Sequence, residues 1–517
     1  MTLQVQLREP SLRAPSILLE SSETVRIAIV VAAALAVAVI SRLGFLSAPF
    51  LNDAGIYIYM GKIVAGGGRL YQDFYETKFP TVGLLIAPLY WFFGAHWISY
   101  VLFQLALALI APWILARAAG RSVGKWTFLP TLLAGLVLLN CSRIVLTGFQ
   151  LETIQAVAAM GSASAVLFGL ARWRAGFWLL AGIAAGLAAL LKPTGLAVAG
   201  AAGVALLYSF RYESAKRVLL SLVALSTGVA IVVAPALLWM LAGPLRKDLP
   251  ELFQQIALYG QATPWKAVFS IKTAIFVVLP LLPVVIRIGW ILCFDRSRAG
   301  AAHVRVFAPI TCFAVVWLLA EIAGVVAQRR CYSYHFLVLA PPAALIFGLL
   351  PAPPKLLAIC ASLLPIAVIS LGYSLPMYRQ INQLRLSPVS RYVQEHTNRA
   401  DAVWADPAAQ LLLETGRKPG ARLPHLFVFV NYDEAPDHYL DVLLADFESR
   451  RPKYLVFQAN HKDKIQRQMD DTPGLIQSPR RMARFRSAWG RLDRYIKDQY
   501  VQETTIDGRV IYRRQGT

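Results

Sequence analysis

Long apolar stretches separated by short charged loops fill the first three quarters of this 517-residue chain, and they constrain its fold most. About 20 apolar residues in a helix cross the roughly 30 Å hydrocarbon core of a bilayer. The stretches therefore predict a polytopic α-helical membrane protein with about eleven transmembrane helices, some of them shorter than ideal. They lie at residues 25–46, 98–116, 127–139, 154–170, 177–191, 195–208, 218–241, 273–293, 307–326, 336–350 and 356–371.

The composition supports this prediction and excludes a water-soluble enzyme. Charged residues make up only 15% of the chain, whereas soluble proteins contain about 25%. About half of the charged side chains lie in the last 143 residues, 375–517. We therefore predict a transmembrane module at residues 1–374, with a first outer loop at 48–97, followed by a soluble domain at residues 375–517.

Positive charges mark the cytoplasmic loops of membrane proteins. Five alternate loops of this chain carry Arg117/Arg121/Lys125, Arg172/Arg174, Arg211/Lys216/Arg217, Arg296/Arg298/Arg305 and Lys355. The pattern predicts a cytoplasmic N-terminus and an outer C-terminal domain, provided that the short apolar piece at residues 81–93 does not span the membrane. Because most of the net charge of +22 lies in such loops, no nucleic-acid partner is predicted. The absence of a cleavable leader and the style of the loops predict a bacterial inner membrane protein facing the periplasm.

The C-terminal domain is predicted to be a small α/β domain. Its β-rich runs are residues 402–405, 426–430, 454–458 and 509–513, and its helical patterns are 390–396, 407–415, 437–449 and 492–499. No nucleotide-binding glycine motif occurs. The five cysteines lack the paired spacing of a metal site or disulfide framework.

The first outer loop carries the most informative polar residues. Asp53 follows the first span, an amphipathic helical pattern covers residues 54–65, and Arg69 and Lys78 come about 15 and 25 residues after Asp53. A carboxylate beside lipid can deprotonate a nucleophile, and a nearby cation can neutralise a phosphate leaving group. The alternatives are a helix N-cap for Asp53 and a lysine extended to the membrane interface for Lys78.

Three later outer loops add candidates. Glu152 begins one apolar segment, and its alternative role is favourable charge at a helix N-terminus. Lys192 lies near the end of the small-residue segment 182–194, where it either binds phosphate or anchors the topology. The stretch before the tenth span contains the remaining candidates, for which an interfacial belt of Tyr and Arg is the alternative: Arg330, Tyr332, Tyr334 and His335.

In order and sidedness these motifs resemble GT-C membrane glycosyltransferases of the protein O-mannosyltransferase and lipid A aminoarabinose transferase superfamily. The resemblance implies a GT-C fold, with Asp53 as catalytic base and Lys78, Arg69, Lys192 and Arg330 as ligands of the donor phosphate. Glu152, Tyr57, Tyr332, Tyr334 and His335 are the implied substrate-binding residues. Relatives often carry a second acidic residue after the Asp, whereas this chain has Ala54, so no metal site and no cofactor are predicted.

The predicted function is an inverting glycosyltransferase. Its implied partners are a polyprenyl-phosphate-sugar donor and a periplasmic glycan, glycolipid or protein acceptor. A transporter or flippase of lipid-linked saccharides is the first alternative, although transporters tend to have duplicated halves and charges at mid-membrane. A non-catalytic membrane scaffold is the second.

Overall fold

The computed structural model describes residues 21–47, 50, 53–261, 265–294, 304–329, 332–350, 355–378, 386–430, 433–460, 463 and 479–516. Between residues 21 and 378, all the described elements of regular length are helices. The α-helices are α1 (Ser21–Leu43), α2 (Asp53–Ala65), α3 (Pro80–Phe93), α4 (Trp97–Ser122), α5 (Phe128–Leu139), α6 (Ser142–Val145), α7 (Leu151–Arg172), α8 (Ala175–Leu191), α9 (Ala197–Ser209), α10 (Ala215–Ala242), α11 (Leu249–Gln261), α12 (Trp265–Val268), α13 (Ile271–Phe294), α14 (Val304–Gln328), α15 (Ala340–Leu349) and α16 (Leu356–Tyr378). Short 3₁₀ helices include Pro193–Leu196 and Ser333–Leu339.

Seven of these helices are long and apolar enough to cross a membrane: α1, α4, α7, α10, α13, α14 and α16. Each coincides with a predicted span, which confirms a multi-pass membrane protein. The other four predicted spans fall on shorter apolar helices, α5, α8, α9 and α15, so the count of eleven stays a prediction. Helix α3 has 14 residues, fewer than a straight span needs.

Small residues set the packing of α8 against α10. A β-carbon at Gly182 would clash with the backbone carbonyl of Leu225, and one at Gly228 would clash with the carbonyl of Leu179. The two backbones therefore approach as closely as glycines permit, as small-residue interfaces in membranes do. This contact fixes α8, whose last turn precedes Lys192.

A buried arginine joins the helices behind the first loop. The guanidinium of Arg42, in the last turn of α1, donates to the side chains of Asn140 (3.0 Å), Gln104 (3.1 Å) and Thr153 (3.2 Å). It also donates to the carbonyl of Leu139 at 2.8 Å. These bonds hold the end of α1 against α4, α5 and α7, close to where the chain enters α2.

The C-terminal region, residues 386–516, contains a five-stranded sheet of order β2-β1-β3-β5-β4. The strands are β1 (Ala402–Ala405), β2 (Lys418–Pro419), β3 (Tyr454–Gln458), β4 (Tyr500–Ile506) and β5 (Arg509–Arg514). Strand β1 is parallel to β2 and β3, and β5 is antiparallel to β3 and β4. The helices are α17 (Pro388–His396), α18 (Ala408–Thr415), α19 (Ala435–Arg450) and α20 (Pro479–Gln499).

One predicted strand is wrong. Residues Leu426–Val430 form a 3₁₀ helix. The side chains of Leu426, Val428 and Phe429 are buried, and the Leu426 N–H donates to the carboxylate of Asp406 at 3.0 Å. Strand β1 already has β2 and β3 on its two edges, so this run has no place beside it. Strand β4 was not predicted.

The C-terminal region packs directly on the first loop of the helical region. The Tyr75 N–H donates to the Arg422 carbonyl at 2.7 Å, and the Arg450 guanidinium donates to the Gln72 carbonyl at 3.1 Å. Helix α18 packs on α2, where residues 54–61 are all buried. The predicted helix at 54–65 is therefore confirmed, but its first two turns are enclosed on every side rather than amphipathic.

Candidate active site

Asp53 is the first residue of α2, and one oxygen of its carboxylate receives three donors. The hydroxyls of Tyr334 and Tyr57 donate to Oδ2 at 3.0 Å and 3.2 Å, and the Lys78 ammonium lies 3.5 Å from the same oxygen. Among the described residues, no backbone N–H donates to this carboxylate. Asp53 therefore does not cap α2, and its side chain is turned toward groups brought from distant parts of the chain.

Lys78 reaches Asp53 because its backbone is held at the end of the first loop. The Tyr71 hydroxyl donates to the Lys78 carbonyl at 2.7 Å, and Pro80 begins α3 two residues later. The Lys78 ammonium lies 5.8 Å from the centroid of the Tyr57 ring. The predicted base and the predicted phosphate ligand, 25 residues apart, are thus brought together.

A second charged group forms around Glu152, in the first turn of α7. Its buried carboxylate is ion-paired with Lys192, and its Oε2 accepts a hydrogen bond from Gln150 Nε2 at 2.8 Å. His335 Nε2 lies 3.8 Å from Oε1. A carboxylate removed from water needs such partners, since its desolvation otherwise costs several kcal/mol. Lys192 is therefore placed by Glu152.

Tyr334 joins the two charged groups. Its hydroxyl bonds to Asp53, while its ring centroid lies 5.9 Å from the Lys192 ammonium and 4.7 Å from the His335 ring. The Tyr332 ring stacks on the Tyr334 ring, with the two ring centroids 5.5 Å apart. The 3₁₀ helix Ser333–Leu339 and the preceding Tyr332 thus carry the predicted aromatic residues to the centre of the site.

A cavity of about 530 Å³ opens beside these groups. Three cationic side chains of the described residues line it: Lys78, Lys192 and Arg329. The Arg329 guanidinium lies 4.1 Å from the Trp265 ring centroid. Its apolar lining comes from α3, α7, α8, α11 and α14: Val82, Leu151, Leu191, Ile256, Ala257, Gly324 and Ala327, together with Phe79 and Pro193. A cavity with cations at one part and apolar walls elsewhere suits an amphiphile with an anionic headgroup.

The C-terminal region fixes the loop that carries Lys78. Glu76 is buried; its Oε1 accepts hydrogen bonds from the Thr77 N–H (2.9 Å) and hydroxyl (3.1 Å), and its Oε2 lies 3.1 Å from His425 Nε2. The ring of Tyr75 lies 5.7 Å from that of Tyr439 on α19. The backbone two residues before Lys78 is therefore tied to the sheet domain.

Electrostatics favour the charged forms of Glu76 and His425. Burial alone would raise the pKa of Glu76, but the bond and charge of His425, the Lys78 charge and the Thr77 N–H outweigh it and lower this pKa to about 2. Burial likewise lowers the pKa of His425, and the bond and charge of Glu76 more than compensate, so the pKa of His425 is raised. The pair is an internal ion pair between the loop and the C-terminal region.

The remaining predicted residues are placed differently. Arg69 is exposed on the first loop, does not line the cavity, and donates its backbone N–H to the Asp73 carboxylate at 2.7 Å. Arg330 lies outside the described residues. The described part of the chain contains no group of three or more His, Cys, Asp or Glu side chains arranged to hold a metal ion.

Sequence reasoning missed several residues of the site. Arg329 lines the cavity, and α14 ends one residue before it. Gln150 orients Glu152, and Tyr71 holds Lys78. The sequence could have indicated these three residues only by their position, since each lies within a few residues of a predicted site residue or in the same loop.

No family model matches the sequence, and no curated protein matches it at a significant level. Solved structures do match. The crystal structure of ArnT, the lipid A aminoarabinose transferase, from Cupriavidus metallidurans bound to undecaprenyl phosphate is 14% identical. The alignment covers 95% of this chain and 98% of that chain, with a TM-score of 0.56. The apo structure of the same protein is 15% identical over the same shares, with a TM-score of 0.55.

The archaeal oligosaccharyltransferase AglB from Archaeoglobus fulgidus, in complex with an inhibitory peptide and a dolichol-phosphate, is 11% identical. It covers 85% of this chain and 70% of that chain, with a TM-score of 0.48. ArnT and AglB are both GT-C fold membrane glycosyltransferases. The full-length similarity to ArnT confirms a helical membrane fold of the ArnT kind with a small C-terminal sheet, while the count of eleven membrane helices and the domain boundary stay predictions.

Proposed function

We propose that this protein is a glycosyltransferase that moves a sugar from a polyprenyl-phosphate carrier to an acceptor at the periplasmic face of the membrane. One observation carries the proposal: a carboxylate and an ammonium from opposite ends of the first loop, Asp53 and Lys78, meet 3.5 Å apart beside a cavity with apolar walls. The ArnT fold supports it, because the ArnT crystal structure contains undecaprenyl phosphate.

The chemistry follows from the two groups. Asp53 accepts the proton of the acceptor hydroxyl as its oxygen attacks the anomeric carbon of the sugar. The bond from that carbon to the phosphate oxygen breaks, and its electron pair leaves with the phosphate. Lys78 neutralises the charge that develops there. A single displacement of this kind inverts the anomeric configuration.

The second charged group supports the same substrate. Lys192 lines the cavity and can attract a phosphate, although its ion pair with Glu152 compensates part of its positive charge. Arg329 adds a third cation. We assign no part in phosphate binding to Arg69, because its exposed side chain lies outside the cavity.

A lipid-linked donor also accounts for the place of the site. The cavity is lined by the end of the first loop and by residues of α7, α8, α11 and α14, so a prenyl chain can stay in the bilayer while its headgroup reaches Lys78. The basic alternate loops support a cytoplasmic N-terminus. The proposed location is a bacterial inner membrane, with residues 375–517 in the periplasm and the acceptor a glycan, a glycolipid or a protein.

The test uses the full chain in vesicles, with cell-envelope fractions as acceptor. Synthetic undecaprenyl-phosphate hexoses, pentoses and amino sugars serve as donors, and the release of undecaprenyl phosphate is measured. Asp53→Asn should lower kcat by about 10²- to 10⁴-fold, the usual contribution of a general base. Asp248→Asn is the matched control, since Asp248 contacts Gln72 and does not line the cavity.

Lys78→Ala should weaken binding of undecaprenyl phosphate about tenfold to a hundredfold, as expected for one charge-assisted bond. Lys247→Ala, which removes an exposed lysine outside the cavity, is its control. Full transfer by Asp53→Asn would contradict the proposal. Lipid translocation across vesicles without sugar release would instead identify a transporter.

A further inference from the structure

The hydrogen bonds to Asp53 are strongly asymmetric. Tyr57, Tyr334 and Lys78 all approach Oδ2, at 3.2, 3.0 and 3.5 Å. Among the described residues, no donor is hydrogen-bonded to Oδ1. One oxygen of the carboxylate is therefore occupied by fixed donors, and the other is left to accept a proton.

Tyr57 is a rigid donor to this oxygen. It lies one turn after Asp53 on α2, and its side chain is buried among the residues of that helix and its neighbours. Burial, followed by the charge of Asp53, raises the pKa of Tyr57 well above its ordinary value. Its hydroxyl therefore keeps its proton and remains a donor at neutral pH.

Tyr334 is fixed from a different part of the chain. Its ring is stacked on Tyr332 and meets the His335 ring edge to face, with interplanar angles of 9° and 88°. These contacts set the direction of its hydroxyl, 281 residues away from Asp53 in sequence. Two independently anchored hydroxyls thus define one orientation of the carboxylate.

We propose that Tyr57 and Tyr334 are positioning residues rather than substrate ligands: their hydroxyls hold Oδ2 of Asp53 and turn Oδ1 toward the acceptor. This inference rests on the proposed function, in which Asp53 is the base. With two hydroxyls on Oδ2, the Lys78 ammonium stands at 3.5 Å, beyond the distance of a strong charge-assisted bond. Asp53 and Lys78 can then act on different substrates instead of saturating each other.

The test compares Tyr57→Phe, Tyr334→Phe and the double variant of the full chain in the release assay, across pH 5 to 9. Each single variant should lower kcat about tenfold, the value of a hydrogen bond to a charged group, while the KM for the donor changes less than about twofold. Because a carboxylate that loses hydrogen-bond donors binds a proton more readily, the acidic limb of the pH–rate profile should move to higher pH. Tyr100→Phe is the matched control, since this buried hydroxyl donates to the Gly94 carbonyl at 2.9 Å, away from Asp53.

Several results would overturn the inference. A raised donor KM with an unmoved pH profile would make these tyrosines substrate ligands, and wild-type kinetics in the double variant would remove any role. The Asp53→Asn variant separates the two levels of the proposal. If Asp53→Asn is inactive and the tyrosine variants behave as wild type, only the positioning role fails; if Asp53→Asn is fully active, the proposed function fails as well. Either single variant alone suffices should the other not fold.

Discussion

Removing the charge of Glu76 should release the first loop from the C-terminal region. In Glu76→Gln, the buried His425 loses its anionic partner while the size of the side chain is kept. The pKa of Glu76 is about 2, against 4.5 for an unperturbed glutamate, and each pKa unit corresponds to about 1.4 kcal/mol. The ionised form is therefore stabilised in the folded protein by about 3 kcal/mol, similar to the cost of breaking a buried ion pair.

Hydrogen exchange measures this loss locally. The Tyr75 N–H, bonded to the Arg422 carbonyl, lies one residue from Glu76. A loss of about 3 kcal/mol should speed its exchange about a hundredfold, since 1.4 kcal/mol is a factor of ten. Donor binding should weaken too, because Lys78 follows two residues later.

A second carboxylate–histidine pair provides the control. Glu251 on α11 lies 3.3 Å from His438 on α19, and both side chains are about half exposed. Exposed pairs contribute about 0–1 kcal/mol, so Glu251→Gln should change exchange at Tyr75 little. Exchange in Glu76→Gln within about threefold of wild type, or an equal effect of Glu251→Gln, would refute the reasoning.

The same pair predicts a pH dependence. The lowered pKa of Glu76 gives stability that is complete above about 4.5 and is lost as the pH falls toward about 2. The raised pKa of His425 gives stability that is complete below about 6.5 and is lost as the pH rises through that raised value. Protection of the Tyr75 N–H, measured as its exchange rate relative to the intrinsic rate at the same pH, should therefore be greatest between about pH 4.5 and 6.5. Protection that does not change with pH would contradict the ion pair.

Two further predictions concern the helices that carry the site. Lys192→Met should lower the melting temperature, by the equivalent of about 3 kcal/mol, because it leaves the Glu152 carboxylate buried without its cation. Adding Glu152→Gln should restore much of the loss. A double variant no more stable than Lys192→Met would show that the two residues are not coupled. Gly182→Ala should also lower the melting temperature, since its β-carbon would clash with the Leu225 carbonyl on α10. Gly200→Ala on α9 is the control, with nothing within 4 Å of the added carbon, and equal melting temperatures for the two variants would contradict the packing.

The predicted strand at residues 426–430 shows where local pattern fails. Its run of apolar and aromatic residues favours β structure, yet it forms a 3₁₀ helix outside the five-stranded sheet. Its buried side chains and the bond from the Leu426 N–H to Asp406 hold it there. The first loop shows the same limit. Arg69 and Lys78 are both cations between α2 and α3, and the path of the loop, set by Tyr71 and by the C-terminal region, brings only Lys78 to Asp53.

The amino-acid sequence by itself determined the seven long apolar helices, the sheet-bearing C-terminal region and the loop that holds Asp53 and Lys78. These depend on local quantities, namely the length of an apolar run and the distribution of charge along the chain. Tertiary structure alone decided that Tyr334 reaches Asp53, that His425 neutralises Glu76, and that Gln150 and Lys192 satisfy Glu152. Most of these contacts join residues tens to hundreds of positions apart, and a buried charge selects its partners from whatever the packing of the helices brings within reach.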